Sequence, residues 1–439
     1  MSIAMKSTIH LVMTLALFVA THRAAAQVPF RLASSPNMGS SVNTITTADV
    51  NNDGKPDLIS ASYTVNRLTV FTNSGNGFFA SNASYTVGSF PHQVIAADVN
   101  NDGRPDLITA NETGNSLTVL TNDGNGRFVL AATLNLFAGS FPWSVAAADV
   151  NGDGTLDLIS ANFGNNSFTI WTNSGGIFVS NATYTVGSPP VLVIAADVNG
   201  DGYADLIVAL EAANKLSVFT NDGSGGFMLA SSPGISPGPA WVAAADVNGD
   251  GRVDLISVGG DKVVVLTNAG SGLFVSNATY TVGSDSVAVV AADVNGDGKP
   301  DVIAVNRSGS TLSVLTNNGT GAFGSNTTLN ASSEPNALAV ADINGDGRVD
   351  LISGNSGVGT LGVWTNAATF MPRLTLKRSG NNVIVSWPAI WANWTLRQND
   401  SLDPYGWTSF GGVIGNDGTT KRATNSPPGT SRFFRLSNP

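Results

Sequence analysis

The chain contains no cysteine, which excludes a disulfide framework and thiolate chemistry. Histidine is almost as scarce: His10 and His22 fall near the start, leaving only His92 for the rest of the chain. A Ser-His-Asp triad or a histidine-rich zinc site repeated along the chain is thereby excluded. Charged residues make up only 12% of the 439, and glutamate is confined to Glu112, Glu211 and Glu334. So little spare carboxylate leaves few candidates for paired acid and base catalysis. Long apolar runs are missing too. Leu11 to Ala20 is too short to span a bilayer as a helix, and no later segment reads as transmembrane. With Lys6 before that run and Ala24-Ala25-Ala26 after it, residues 1–26 read as a secretory leader cut ahead of Gln27. The expected location is extracellular or at the cell surface.

Glycine is abundant, at 49 residues, and the apolar runs are short and alternating, a pattern of turns and strands rather than helices. One motif, D-x-N-x-D-G-x-x-D, occurs seven times, beginning at Asp49, Asp98, Asp149, Asp197, Asp246, Asp293 and Asp342. A period near fifty residues that carries several short strands points to a β-propeller. The expected fold class is all-β: a seven-bladed propeller over 27–371 and a small β-sandwich over 372–439. Each unit reads as four strands. In the second, Val94 to Ala97 enters the acidic loop, Asp106 to Ala110 leaves it, Asn115 to Asn122 alternates, and Asp123-Gly124-Asn125-Gly126 turns into a strand at Phe128. The seventh unit lacks its fourth strand. Phe30 to Pro36 matches Phe227 to Pro233, so the N-terminal strand is expected to complete the last blade and remove a sheet edge. The tail carries Trp387, Trp391, Trp394 and Trp407, no acidic loop, and a basic balance.

The loops supply hard oxygen donors in fixed order. The first offers Asp49, Asn51, Asp53 and Asp57 at positions 1, 3, 5 and 9, with the carbonyl of Lys55 at position 7. The second offers Asp98, Asn100, Asp102, Arg104 and Asp106, and the third Asp149, Asn151, Asp153, Thr155 and Asp157. The fourth has Asp197, Asn199, Asp201, Tyr203 and Asp205, and the fifth Asp246, Asn248, Asp250, Arg252 and Asp254. Asp293, Asn295, Asp297, Lys299 and Asp301 form the sixth, and Asp342, Asn344, Asp346, Arg348 and Asp350 the seventh. Such a donor set suits Ca²⁺, which takes six to eight oxygens in flexible geometry. Three carboxylates crowded into one short loop are costly without a cation. The chain is formally −10, and seven divalent ions would bring it near neutrality. Up to seven structural Ca²⁺ ions are expected.

The acidic loop, the Gly77-Phe78-Phe79 hairpin and the Val87-Gly88-Ser89 lead-in resemble the FG-GAP or VCBS repeats of integrin α-chain propellers. The tail is similar to fibronectin-III-like C-terminal modules of bacterial secreted repeat proteins. The resemblance implies calcium loops between first and second strands, with ligands meeting the opposite face. His92, Trp143 and Trp241 lie before first strands on that face, alongside Val191, Val287 and Asn336; Glu112, Phe163, Glu211, Lys262 and Arg307 lie in its other loops. Their aromatic rings would either stack on a ligand such as a sugar or pack between blades. The expected function is a non-catalytic, monomeric extracellular binding or adhesion module for a protein or glycan, with no nucleic acid partner. The alternatives are a carbohydrate-binding, lectin-like propeller and a polysaccharide lyase. Asn82, Asn181 and Asn277 head Asn-x-Ser/Thr triplets that recur at one strand position.

Overall fold

The computed structural model describes residues 28–367, 375–379, 382–388, 395–399, 408–416, 420–425 and 433–437. The leader expected over residues 1–26 lies outside them. The described chain is all-β but for two single 3-10 turns, Phe163–Asn165 and Glu211–Ala213. No helix among the described residues is long and apolar enough to cross a membrane.

Residues 30–366 form seven four-stranded antiparallel sheets, the repeated arrangement of a β-propeller. The first holds Thr44–Ala48, Asp57–Ser62, Arg67–Asn73 and Phe79–Thr86 in sequence order. Burial follows that order. The second strand of every sheet is buried at each of its six residues, as in Asp57–Ser62 and Asp350–Asn355. The fourth strand alternates or faces solvent, as in Phe79–Thr86. First strands are Ala-rich because they touch the first strands of both neighbouring sheets, the seventh returning to the first. Only small side chains fit where seven backbones converge. The larger apolar residues fill the spaces between sheets. One such core joins Ile159, Phe168 and Ile170 of the third sheet to Leu206, Val208 and Phe219 of the fourth.

The N-terminal strand Phe30–Ser34 supplies the outer strand of the seventh sheet, pairing with Thr360–Asn366 in the register Phe30 to Asn366. This is the register of Phe227 with Asn221, and both pairs carry the register shift found in each outer hairpin. The match between Phe30–Pro36 and Phe227–Pro233 therefore extends to side chains. Ser34 Oγ donates to the Gly77 carbonyl of the next sheet at 2.6 Å, as Ser231 Oγ does to Gly272 at 2.6 Å.

The tail forms two further sheets. One contains Thr375–Ser379, Asn382–Pro388, Thr420–Asn425 and Ile414–Asn416; the other contains Thr408–Ser409, Thr395–Asn399 and Phe433–Ser437. They share a small core of Val385, Trp387, Leu396 and Ala423, with Phe410 and Phe434 against it. Trp391, Trp394 and Trp407 lie outside the described residues.

Candidate functional site: a belt of acidic loops and an axial pocket

Each acidic loop joins the first strand of a sheet to its second. Position 9 is the first residue of the second strand, opposite the last alanine of the first, as Asp57 is opposite Ala48. Glycine at position 6 is required because φ lies near +80° there, at +81° in Gly54 and +84° in Gly154. Position 4 is left-handed as well, and takes Asn in the first two loops (Asn52, φ +59°) and Gly in the other five.

Within a loop the side chains turn onto loop amides. The position 1 carboxylate accepts from the position 6 amide in all seven copies, as Asp49 Oδ2 does from Gly54 N at 2.7 Å. The Asn at position 3 accepts from the position 5 amide, and Asp at position 5 from the position 7 amide. The polar ends also converge on one another. Asn199 Nδ2 lies 2.8 Å from Asp201 Oδ2, and Asn295 Nδ2 lies 3.3 Å from Asp301 Oδ1. In four loops a basic residue at position 7 reaches over the position 5 carboxylate, with Lys55 3.4 Å from Asp53 and Arg348 3.1 Å from Asp346.

Position 9 differs from the rest. Asp57, Asp106, Asp157, Asp205, Asp254, Asp301 and Asp350 are all 0% exposed. Burial raises the pKa of each above the usual carboxylate range, and the position 5 and position 1 carboxylates raise it further. Two backbone amides pull it back only in part. Asp106 and Asp350 reach about 6 and Asp301 about 7.

Those two amides close a circuit. Asp57 Oδ2 accepts from Val50 N at loop position 2, and Oδ1 from Asn73 N at the end of the third strand. Asn73 Nδ2 then crosses to the neighbouring sheet and donates to the Ile343 carbonyl, position 2 of the seventh loop, at 2.8 Å. Ile343 N donates to Asp350, which accepts from Asn366 N, whose Nδ2 donates to Val294 O. The pattern continues through Asp301, Asn317 and Val247, then Asp254, Asn268 and Val198. It passes through Asp205, Asn221 and Val150, then Asp157, Asn173 and Val99. Asp106 and Asn122 return it to Val50 O. The acidic loops are thus joined by one closed belt of buried hydrogen bonds, in which amide-to-carboxylate bonds alternate with amide-to-carbonyl bonds. Reading the motif alone misses the asparagines. The signal is a Thr-Asn pair that closes the third strand of every unit, from Thr72-Asn73 to Thr365-Asn366.

The loop donors fit a hard divalent cation in kind and in order: three carboxylates, an amide oxygen and a carbonyl per loop, with the deepest carboxylate in an environment that disfavours its charge. Among the described residues no three His, Cys, Asp or Glu side chains stand grouped at metal-holding distance. The carboxylates at positions 1 and 5 are instead folded onto the loop amides.

The opposite end of the sheets carries the loops from fourth to first strand and from second to third. There His92, Trp143, Glu211, Trp241 and Arg307 line a single cavity of about 350 Å³ at the axis. Glu112 does not line it; its carboxyl lies beside the Trp143 indole N–H, and burial raises its pKa. The aromatic rings are already engaged. Trp143 is sandwiched between His92 (centroids 4.7 Å, 11°) and Phe163 (4.0 Å, 7°), so neither face is open for stacking. Burial pushes the His92 imidazole down to about 4, and its Nδ1 lies 3.0 Å from the Trp143 carbonyl. Trp241 stands one register position later than His92 and Trp143, counted from the acidic loop. The residue that matches them in the fifth sheet is Ala240. Trp241 packs against three apolar clusters and fills the axis between sheets. For both tryptophans, packing between sheets is the arrangement found. Arg307 is committed to Asp285 through two bonds of 2.8 and 3.1 Å. Glu211 stands near this pair, its pKa raised by burial against the pull of Arg307. Lys262 pairs with its neighbour Asp261 at 3.0 Å.

The family model for the FG-GAP-like repeat matches six overlapping stretches, residues 49–109, 98–160, 149–208, 197–257, 246–304 and 293–353. These cover well over half of the chain, which belongs to the FG-GAP-like repeat family. No curated protein sequence matches it significantly. Among solved structures the chain is similar to BBS1N, crystallised in complex with ARL6DN and soaked with mercury. The TM-score is 0.57 at 14% identity, covering 78% of this chain and 99% of that one. It is also similar to an Agrocybe aegerita lectin that recognises non-reducing terminal N-acetylglucosamine, with a TM-score of 0.47 at 24% identity, covering 67% and 81%.

Proposed function

We propose that this chain is a secreted, non-catalytic binding module: a seven-bladed propeller closed by its N-terminal strand, held by Ca²⁺ in its acidic loops, and meeting its ligand on the opposite end. The observation that carries this reading is the contrast between the two ends. Seven loops at one end share a single plan and are tied into one belt, a repeated design that suits fastening. At the other end the positions matching His92 are Asn43, Trp143, Val191, Ala240, Val287 and Asn336, a ring of dissimilar side chains around a cavity. Varied side chains on a rigid scaffold are what selective recognition requires.

The cation would sit among positions 1, 3, 5, 7 and 9 of each loop, from Asp49, Asn51, Asp53, Lys55 and Asp57 onward. When bound it would neutralise three carboxylates and hold the turn. The tail would form a β-sandwich of the fibronectin-III-like kind, its two sheets closing over Trp387. A non-catalytic role is favoured by the engagement of the chemically capable side chains. His92 is held neutral against a carbonyl, and Asp285 is bound by Arg307 and Ser308. The test is to screen the chain from Gln27 onward against extracellular proteins and glycans, with calcium and with a chelator. Calcium-dependent capture that is lost on altering the axial-pocket end supports the reading. Capture that survives every such change and follows the acidic loops overturns it.

A further inference from the structure

Next to the axial pocket, a wider groove of about 640 Å³ runs across the sixth, seventh and first sheets, and shares Asn43, Arg307 and Asn336 with that pocket. The loops at this end build it from Tyr63, Ser310, Ser333 and Glu334. Its chemistry differs from that of the tryptophan-lined axis. Hydroxyls, amides and one carboxylate dominate its lining, which among the described residues contains no aliphatic side chain. Among the described residues the Tyr63, Ser310 and Ser333 hydroxyls and the Glu334 carboxylate have no hydrogen-bond partner, which leaves their donor and acceptor capacity for the groove they line. The one cation, Arg307, is already neutralised by Asp285. Tyr63 lies against Phe90, centroids 4.7 Å apart at 35°, and also lines the groove.

We propose that this groove binds a neutral carbohydrate chain. The inference rests on the reading that ligands meet the end opposite the acidic loops, and names their class. A sugar presents many hydroxyls in a small volume and an apolar ring face. It is met by convergent hydroxyls and amides beside an aromatic ring. A peptide partner would favour a desolvated apolar anchor, and the described lining of this groove offers no aliphatic side chain for one. Trp143 is covered on both faces and Trp241 packs between sheets at the axis, so within this groove Tyr63 takes the stacking role.

The experiment uses the chain from Gln27 to Pro439 with calcium present, on an array of immobilised neutral and charged oligosaccharides. Calorimetry follows, with whichever soluble neutral oligosaccharide of two to four residues the array selects. The expected result is binding that Tyr63→Ala and Glu334→Gln each weaken tenfold or more, with an unchanged melting midpoint. Because Tyr63 also supports Phe90, Ser333→Ala serves as a second groove variant, expected to weaken binding several-fold without touching any packed ring. Oligosaccharide binding indifferent to all three variants overturns the groove. Capture only of proteins or peptides, lost on changing residues at this end, overturns the carbohydrate class while leaving the binding module in place. Failure of the intact chain to bind either kind of probe overturns both readings.

Discussion

At one end of the sheets, loop after loop places the same donors on the same amides. At the other, the equivalent positions range from Asn43 to Trp143 to Val191. Both ends are carried by the same strands, so the difference cannot come from the scaffold. It comes from what each end must satisfy. The acidic end is closed on itself: every position 9 carboxylate serves its own loop and its own third strand, and every terminal Asn serves the neighbouring loop. A change in one unit would leave a buried group unpaired in the next, so the units are held alike. At the other end the links between neighbouring sheets are made by differing side chains, Asn43 donating to the His92 carbonyl and Gln93 accepting from the Val145 amide. Its side chains are free to differ.

The largest expected effect comes from removing the strand that closes the seventh sheet. Deleting Phe30 to Pro36 exposes the Thr360–Asn366 edge of the seventh sheet and removes the Ser34 to Gly77 bond. Loss of solubility or of a cooperative melting transition is the expected outcome; a deletion variant that melts like the parent would refute closure by this strand. Removing the cation comes next. Each site filled at a hundredfold excess over its Kd contributes about 2.7 kcal/mol to the folded state. A chelator should therefore lower the midpoint steeply, and an unmoved midpoint sinks the idea of calcium as a fastener.

Smaller effects separate the two ends. Trp143→Ala removes the centre of the His92–Trp143–Phe163 stack and should cost about 3 kcal/mol in denaturant unfolding. Were the ring a ligand platform only, stability would hold. Asn221→Ala cuts the buried bonds to Val150 O and Ala204 O and should cost about 2 kcal/mol. Ser333→Ala at the opposite end should stay within about 0.5 kcal/mol. Equal losses for Asn221→Ala and Ser333→Ala would mean that the belt does not fasten.

A further comparison is in pH. In cation-free protein the position 9 carboxylates bind protons more tightly folded than unfolded, with Asp301 at about 7 and Asp106 and Asp350 at about 6, against 3.8 for the free group. The unfolded chain then carries fewer protons between about pH 4 and 7, so stability rises as pH falls through that window. With calcium bound, protons and cations compete for the same oxygens, and acidification should destabilise instead. Melting curves at pH 5 and 7, with and without chelator, should cross in sign. Parallel behaviour would show that the cation does not sit on these carboxylates.

Much of the architecture is legible in the residues because it repeats. Seven acidic motifs give the number and spacing of the units, alternation gives the strands, and the match of Phe30–Pro36 to Phe227–Pro233 gives the closing strand. These are local signals, fixed by turn geometry and by the two-residue period of a strand. The axial end is less legible in the sequence. Trp143 and Trp241 are equally visible as exposed-loop candidates, yet Trp143 is capped on both faces and Trp241 is displaced by one residue into the axis. A one-residue shift in a strand sends a side chain to the other face.

What the sequence by itself determined is the repeat: its period, its oxygen donors, and the residues that turn or extend the chain within each unit. What only the tertiary structure decided is every relation between units. The belt depends on Asn73 meeting Ile343, residues far apart in sequence but 2.8 Å apart across a sheet boundary. The groove depends on Tyr63 and Glu334 facing one space. Neither follows from periodicity, because a period fixes what each unit contains, while the packing of neighbouring sheets fixes which of those groups meet.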